Sequence, residues 1–249
     1  MINLKSKREL GIMLDASRIV AEVLAELRVH CKAGITTREL DRIAAEKTAA
    51  HKATAAFNGY RGFPGSLCTS INHQVVHGIP GDYMMKDGDI ISIDFGILYK
   101  GYYGDAAITV PIGPVSSKTN DLLKVTEECL YRGIEQMTPG NYLENLSRAI
   151  QDHAESNGFS LVREFGGHGI GRHLHEDPMV LNYVADGRGI KMMPGLVLAV
   201  EPMVNMGESA VDVLSDGWTV VTRDGKPSAH FEHTVAVTEN GPEILTKLA

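Results

Sequence analysis

Two aspartates, Asp94 and Asp105, lie inside one apolar, β-branched run from Asp89 to Val110 that is broken at Tyr99-Lys100-Gly101. That pattern reads as a β-hairpin. Facing positions of an antiparallel pair sum to a constant, here 199, which predicts a turn centred between Tyr99 and Lys100. In that register the two carboxylates face each other with Cβ atoms roughly 4.5–5.5 Å apart. Like charges so placed repel, and apolar neighbours make the repulsion worse, unless a cation lies between them. Taken alone, the pair reads equally well as two solvated groups on the outer face of the hairpin.

Three more residues shift that balance. His168 sits in Gly166-Gly167-His168-Gly169-Ile170-Gly171, whose small neighbours would let the backbone pass close to a ligand. A phosphate cradle fits poorly, because no P-loop lysine follows and no GxGxxG spacing is present. Glu201 closes the apolar run Leu196 to Val200 and is followed by Pro202, which cannot donate to a ladder and so ends the strand there. Glu232 opens another β-branched strand, Thr234 to Thr238. Each glutamate alone reads as a solvated strand-end residue. With Asp94, Asp105 and His168 they read as donors to a pair of divalent cations ~3.5–4 Å apart. Oxygen donors with a single imidazole suit Mn, Fe, Co or Zn, among which the sequence does not choose. His173 and His175 read either as a zinc pair or, better, as one residue facing solvent and one facing a cleft.

Seven stretches, in order along nearly the whole chain, carry a family resemblance. They are Val76-His77-Gly78-Ile79-Pro80, Ile93-Asp94-Phe95, Gly104-Asp105, Gly167-His168-Gly169-Ile170-Gly171, His175-Glu176-Asp177-Pro178, Glu201-Pro202-Met203-Val204-Asn205 and Phe231-Glu232-His233-Thr234. The chain resembles a type I methionine aminopeptidase. The resemblance implies an α+β pita-bread fold and a single catalytic domain over 1–249, with pseudo-symmetric halves at about 5–112 and 115–245 facing each other across the metals. It implies two divalent metal ions, with Asp105 and Glu232 bridging them, Asp94 chelating one, and His168 with Glu201 holding the other. Glu201 would also carry the proton from the attacking water to the leaving amine. His77 and His175 resemble the family's two non-ligand histidines, which contact substrate and stabilise the tetrahedral intermediate. Without its context His77 would read as an ordinary loop histidine.

Tyr60, Phe63, Cys68, Leu174 and Trp218 match the family's methionine pocket, and a thioether packs well against aromatic rings. Core packing accounts for Phe63 and Cys68 equally well. Phe57, His173 and Leu174 stand where other residues are expected in the commonest bacterial members, which puts the pocket's shape in question. The function implied is removal of the initiator methionine from nascent chains whose second residue is small. Prolidase-like Xaa-Pro peptidases share the fold and the donors but resemble chains with an extra N-terminal domain. Type II enzymes should carry a helical insertion between His175 and Glu201, and an inactive binding module should have lost ligands.

Composition agrees with such an enzyme. With 249 residues and 43% apolar content the chain is long and apolar enough for a substantial core. A net charge of −7 with scattered Lys and Arg excludes a nucleic-acid-binding stripe. Cys31, Cys68 and Cys129 are far apart and form no CxxC, as in a reducing cytoplasm. No apolar run approaches the ~20 residues of a membrane span, and the N-terminal residues lead into a charged helix instead of a signal peptide. A monomer is the expected state, with nascent N-termini as partners and a transient ribosome contact left open.

Ser6-x-x-Glu9 and Thr36-x-x-Glu39 predict two capped helices, to about Cys31 and Lys52, and helical patterns return near Lys118–Met137 and Leu143–Ser156. A shift of 106 residues aligns Leu24 with Leu130, Gly34 with Gly140, Leu40 with Leu146 and Arg42 with Arg148. The chain therefore reads as two copies of helix, helix, strands.

Overall fold

The computed structural model describes residues 2–248. Four helices form where the patterns place them: α1 Lys7–His30, α2 Thr37–Ala50, α3 Ser117–Glu135 and α4 Leu143–Ser156. Ser6 and Glu9 close a reciprocal capping box at α1, while at α2 the Thr36 side chain accepts from the Glu39 amide. Each such cap satisfies amides that the first helical turn leaves without partners.

All pairings in the nine-stranded sheet are antiparallel. Its main path runs 54–55, 90–99, 102–111, 232–238, 197–200, 167–169 and 176–180, with 68–71 and 241–244 attached at the side. Because side chains alternate along a strand, one face of the sheet is given to the helices. Ile91, Ile93, Phe95 and Ile97 pack with α1 and α2, whereas Leu198, Val200, Val235 and Val237 pack with α3 and α4. The opposite face stays free for the intervening residues, among them Asp94, Ala107, Ala199 and Glu232.

The faint sequence repeat has a structural counterpart. Gly34 and Gly140 both follow the first helix of a pair with positive φ, 91° and 98°. The Gly34 amide donates to Met85 O at 2.8 Å and the Gly140 amide to Met192 O at 3.1 Å, and Met85 N and Met192 N return bonds to Ile35 and Asn141. Matching bridges join Thr36 to Met84 and Tyr142 to Lys191. Leu40 and Leu146 are both fully buried.

The hairpin register differs from the one the aspartate positions predict. Lys100 and Gly101 have φ of 48° and 81° and form a two-residue loop, the geometry of a type I′ turn, whose twist matches that of the flanking strands. The register therefore moves by two residues: Asp94 pairs with Ala107, and Asp105 pairs with Gly96. An even shift leaves both aspartates on one face, so they are diagonal neighbours and do not stand directly opposite. Turn geometry, not charge pairing, set the register.

Candidate metal and substrate site

Two rows of residues cross the free face of the sheet. The first is Asp94, Ala107 and Glu232, on three adjacent strands. The second starts at Asp105, whose main chain exchanges bonds with the Thr234 hydroxyl at 2.7 and 3.0 Å, and continues through Ala199 to His168. Small residues lie between the acids. A Cβ on Gly96 would stand 3.0 Å from Asp105 Oδ1, so this glycine leaves the carboxylate its room. Glu201 follows the last residue of strand Val197–Val200, beside Glu232, where Pro202 ends the ladder.

The two halves of the chain thus bring Asp94, Asp105, His168, Glu201 and Glu232 to one cavity of about 350 Å³. Burial and the neighbouring carboxylates push Asp105 and Glu232 well above the ordinary carboxylate range. Asp94 is raised to about 7, chiefly by burial. Burial also opposes ionisation of Glu201, but the imidazoles of His230, His168 and His77 outweigh it and hold the pKa below normal. Asp94 Oδ1, Asp105 Oδ1 and Glu232 Oε1 are buried without a hydrogen-bond partner. Buried acceptors are ordinarily paired, and this many unpaired oxygens in one cavity fit a cation's donor set. Two trios have donor atoms within 4.8 Å of one another: Asp105, His168 and Glu232, and Glu201, His230 and Glu232. His168 Nδ1–H donates to Gly169 O at 2.9 Å, which leaves Nε2 free to act as a donor to metal.

The glycines beside His168 have a different purpose from the close ligand approach expected of them. A Cβ on Gly167 would lie 2.2 Å from Ala199 O, and one on Gly169 2.2 Å from Asp177 O. They let neighbouring strands close on the histidine's strand. His77 has φ of 58°, a conformation uncommon for a residue with a side chain and typical of constrained sites. Gly78 holds it there: it packs where a Cβ would stand 2.1 Å from Thr69 O, and it exchanges bonds with Thr69 and Ser70.

His175 lines the cavity while His173 does not. The His175 Nδ1 lies 2.8 Å from the Tyr60 hydroxyl, and its ring centroid is 4.3 Å from that of His168. Its segment is tied down by Glu176, which accepts from the amides of Arg172 and His173 and pairs with Lys5 at 2.6 Å. Burial, with His168 adding to it, lowers the His175 pKa to about 4, and burial lowers that of His77 as well. Both rings are neutral at physiological pH.

Phe63, Cys68, Leu174 and Trp218 form an apolar wall, with Trp218 edge-on to Phe63 at 5.2 Å. Phe57 also lines the cavity, so two of the three departures from the expected pattern, Phe57 and Leu174, bear on its shape. The sequence reading missed Phe165, whose ring stands 5.6 Å from that of His77, as well as Met203 and His230. For His230 a signal was present, since His230-x-Glu232 places both residues on one face of an extended strand.

Metal binding should compete with protons here. A carboxylate with a raised folded pKa contributes stability below its unfolded pKa near 4 and loses it as pH rises through the folded value, about 7 for Asp94. His233, which lies against Tyr131 and whose pKa is lowered to about 4, acts in the opposite sense with or without metal, and so cancels in a difference. The rise in Tm on adding Mn2+ to metal-free protein should be below about 2 °C at pH 5 and about 5–10 °C at pH 8. A thermal-shift series at fixed ionic strength checks this, and a pH-independent rise would contradict the protonated cluster.

The chain belongs to metallopeptidase family M24, whose model matches residues 11–239. Within that family it is similar over its full length to methionine aminopeptidases. It is 53% identical to methionine aminopeptidase 1 of Bacillus subtilis (strain 168), with 100% of both chains covered. It superposes on the crystal structure of methionine aminopeptidase from Thermotoga maritima with a TM-score of 0.98 at 43% identity, again covering 100% of both chains. The Xaa-Pro dipeptidase from Bacillus anthracis, at 21% identity and a TM-score of 0.78, shares the fold alone, and this chain spans 62% of it. The fold is the α+β pita-bread fold, and divalent metal binding follows from the family and the donor cluster.

Proposed function

We propose that residues 1–249 act as one catalytic domain that removes the N-terminal methionine from nascent polypeptides whose second residue is small. One observation carries the reading: carboxylates from both halves converge with unpaired oxygens on a cavity that also has an apolar, aromatic wall. Asp94, Asp105, His168, Glu201 and Glu232 would hold two divalent ions of Co, Mn, Fe or Zn, and the chemistry supplied there would be Lewis-acid activation of a water and of the scissile carbonyl.

The chain's own residues supply the rest. Glu201, kept ionised by the surrounding imidazoles, accepts a proton from the attacking water and returns it to the leaving amine. With the Tyr60 hydroxyl as donor across the 2.8 Å contact to His175 Nδ1, Nε2 carries the ring proton. A neutral His175 and His77 then offer N–H groups to the oxygen that gains charge in the tetrahedral intermediate. Phe63, Cys68, Leu174 and Trp218 receive the methionine side chain, with Tyr60 and Phe57 beside them. The cysteines Cys31, Cys68 and Cys129 are free, which supports work in a reducing cytoplasm.

The test is hydrolysis of Met-Ala-Ser beside an Xaa-Pro peptide, with and without chelator. Metal-dependent release of methionine, with no cleavage of the Xaa-Pro peptide, is the expected result. Undiminished turnover after dialysis against EDTA, or preference for Xaa-Pro, would overturn it.

A further inference from the structure

His230 is only 1% exposed, and neither of its ring nitrogens has a hydrogen-bond partner. A core histidine normally satisfies at least one nitrogen, because an unpaired buried polar group costs free energy. Its backbone is held in place. Its strand, Ser228–His230, is paired with Met203–Asn205, and its amide and carbonyl are both bonded to the Thr109 hydroxyl, at 2.9 and 2.7 Å. Phe231 beside it points into the core of the second half. Alternation therefore sends His230 and Glu232 the other way, to the side of Glu201.

What the ring meets there is Glu201. His230 Nε2 lies 3.4 Å from Glu201 Oε2, while His168 Nε2 lies 3.7 Å from Glu201 Oε1. The carboxylate sits between two imidazoles, one oxygen facing each. In the reading above, His168 Nε2 is committed to metal. His230 Nε2 is then placed to hold the other oxygen through its N–H.

We propose that His230 is a positioning residue for Glu201. Its Nε2–H tethers Oε2, which fixes the orientation of the carboxylate that moves the proton. The inference rests on the proposed role of Glu201 and adds a residue that lies outside the five-donor set. The contact is between an acceptor that is ionised and a donor already held in place by a rigid backbone. Such a bond tightens with little reorganisation and gains from the charge on its acceptor. A tether of this kind orients the reacting group without itself touching substrate, so its loss should appear in kcat more than in KM.

The experiment compares His230→Gln, His230→Asn and His230→Leu with the wild-type enzyme in one set of preparations. Metal content, metal affinity by calorimetry, Tm, kcat and KM are measured on each. Gln places an N–H near the position of Nε2, Asn falls short of it, and Leu fills the volume without a donor. Leu and Asn should lower kcat about 10–100-fold, the range for loss of an orienting contact, with KM within about threefold and metal content unchanged. Gln should recover most of the lost kcat. Equal kcat in all four proteins, or an equal loss in Gln and Leu with normal Tm, would overturn the proposal. Loss of a metal ion in Gln, Asn and Leu alike would make His230 a ligand and also overturn it. Should the Leu protein fail to fold, the contrast between Gln and Asn decides the matter alone. If the wild-type protein neither bound metal nor released methionine, the proposed function would fail first, an outcome that no His230 variant can mimic.

Discussion

Glu232→Ala and Asp94→Ala are expected to have no measurable turnover on Met-Ala-Ser and to lose tight metal binding, as metal analysis of the same preparations will show. Glu232 belongs to both groups of clustered donors and Asp94 stands beside it across Ala107. Removing either leaves too few donors for two ions, and the carboxylates that remain are those burial already drives towards protonation. Because each places a buried oxygen without a hydrogen-bond partner among other acids, their loss should not unfold the protein. The metal-free Tm should stay the same or rise. His77→Ala and His175→Ala supply the contrast. These should keep their metal and lose about 10²–10³-fold in kcat, as for removal of a donor to a developing oxyanion. Loss of metal in proportion to activity in the histidine variants would make them ligands, and wild-type activity in either acid variant would dismantle the donor set.

The second large effect concerns the residue after methionine. For the free amino group to reach the donor cluster while methionine fills the wall of Phe63, Cys68 and Trp218, the second residue must pass close to His77, His168 and His175. His175 and His168 are only 4.3 Å apart ring to ring, and His77 is wedged against Phe165 and Trp218. Rings held this tightly leave little room for a side chain. In a peptide series differing only at that position, Gly, Ala, Ser, Cys, Thr, Pro and Val should be accepted, and Leu, Phe, Lys and Glu refused by about 10²-fold or more in kcat/KM. Several misplaced or clashing groups are enough to cost that much. Acetyl-Met-Ala should resist cleavage because its nitrogen is no longer a free amine. Efficient cutting of Met-Lys, Met-Phe or acetyl-Met-Ala would reject this geometry.

The sequence by itself determined the helices, the strand ends and most of the polar residues that the fold gathers at the cavity. Those are local matters: Ser6 and Glu9 cap a helix wherever it packs, Pro202 ends a strand without knowledge of the fold, and a carboxylate among β-branched residues is conspicuous in one dimension. The faint repeat around Gly34 and Gly140 was legible for the same reason, since a positive φ after a helix demands the same residue in each half.

Tertiary structure decided the rest. Register was one such matter: the Lys100-Gly101 turn moved Asp94 to Ala107 and Asp105 to Gly96, because a two-residue loop matching strand twist outweighs any pairing of the side chains. The reason for Gly167 and Gly169 was another, visible only when the carbonyls of Ala199 and Asp177 came into contact range. His230 was hidden longest. Its identity and spacing were plain in the chain, but an imidazole becomes informative only when burial removes water from both nitrogens and folding sets a single carboxylate before it. Desolvation and contacts between distant segments are properties of the assembled molecule, so no local pattern of residues can carry them.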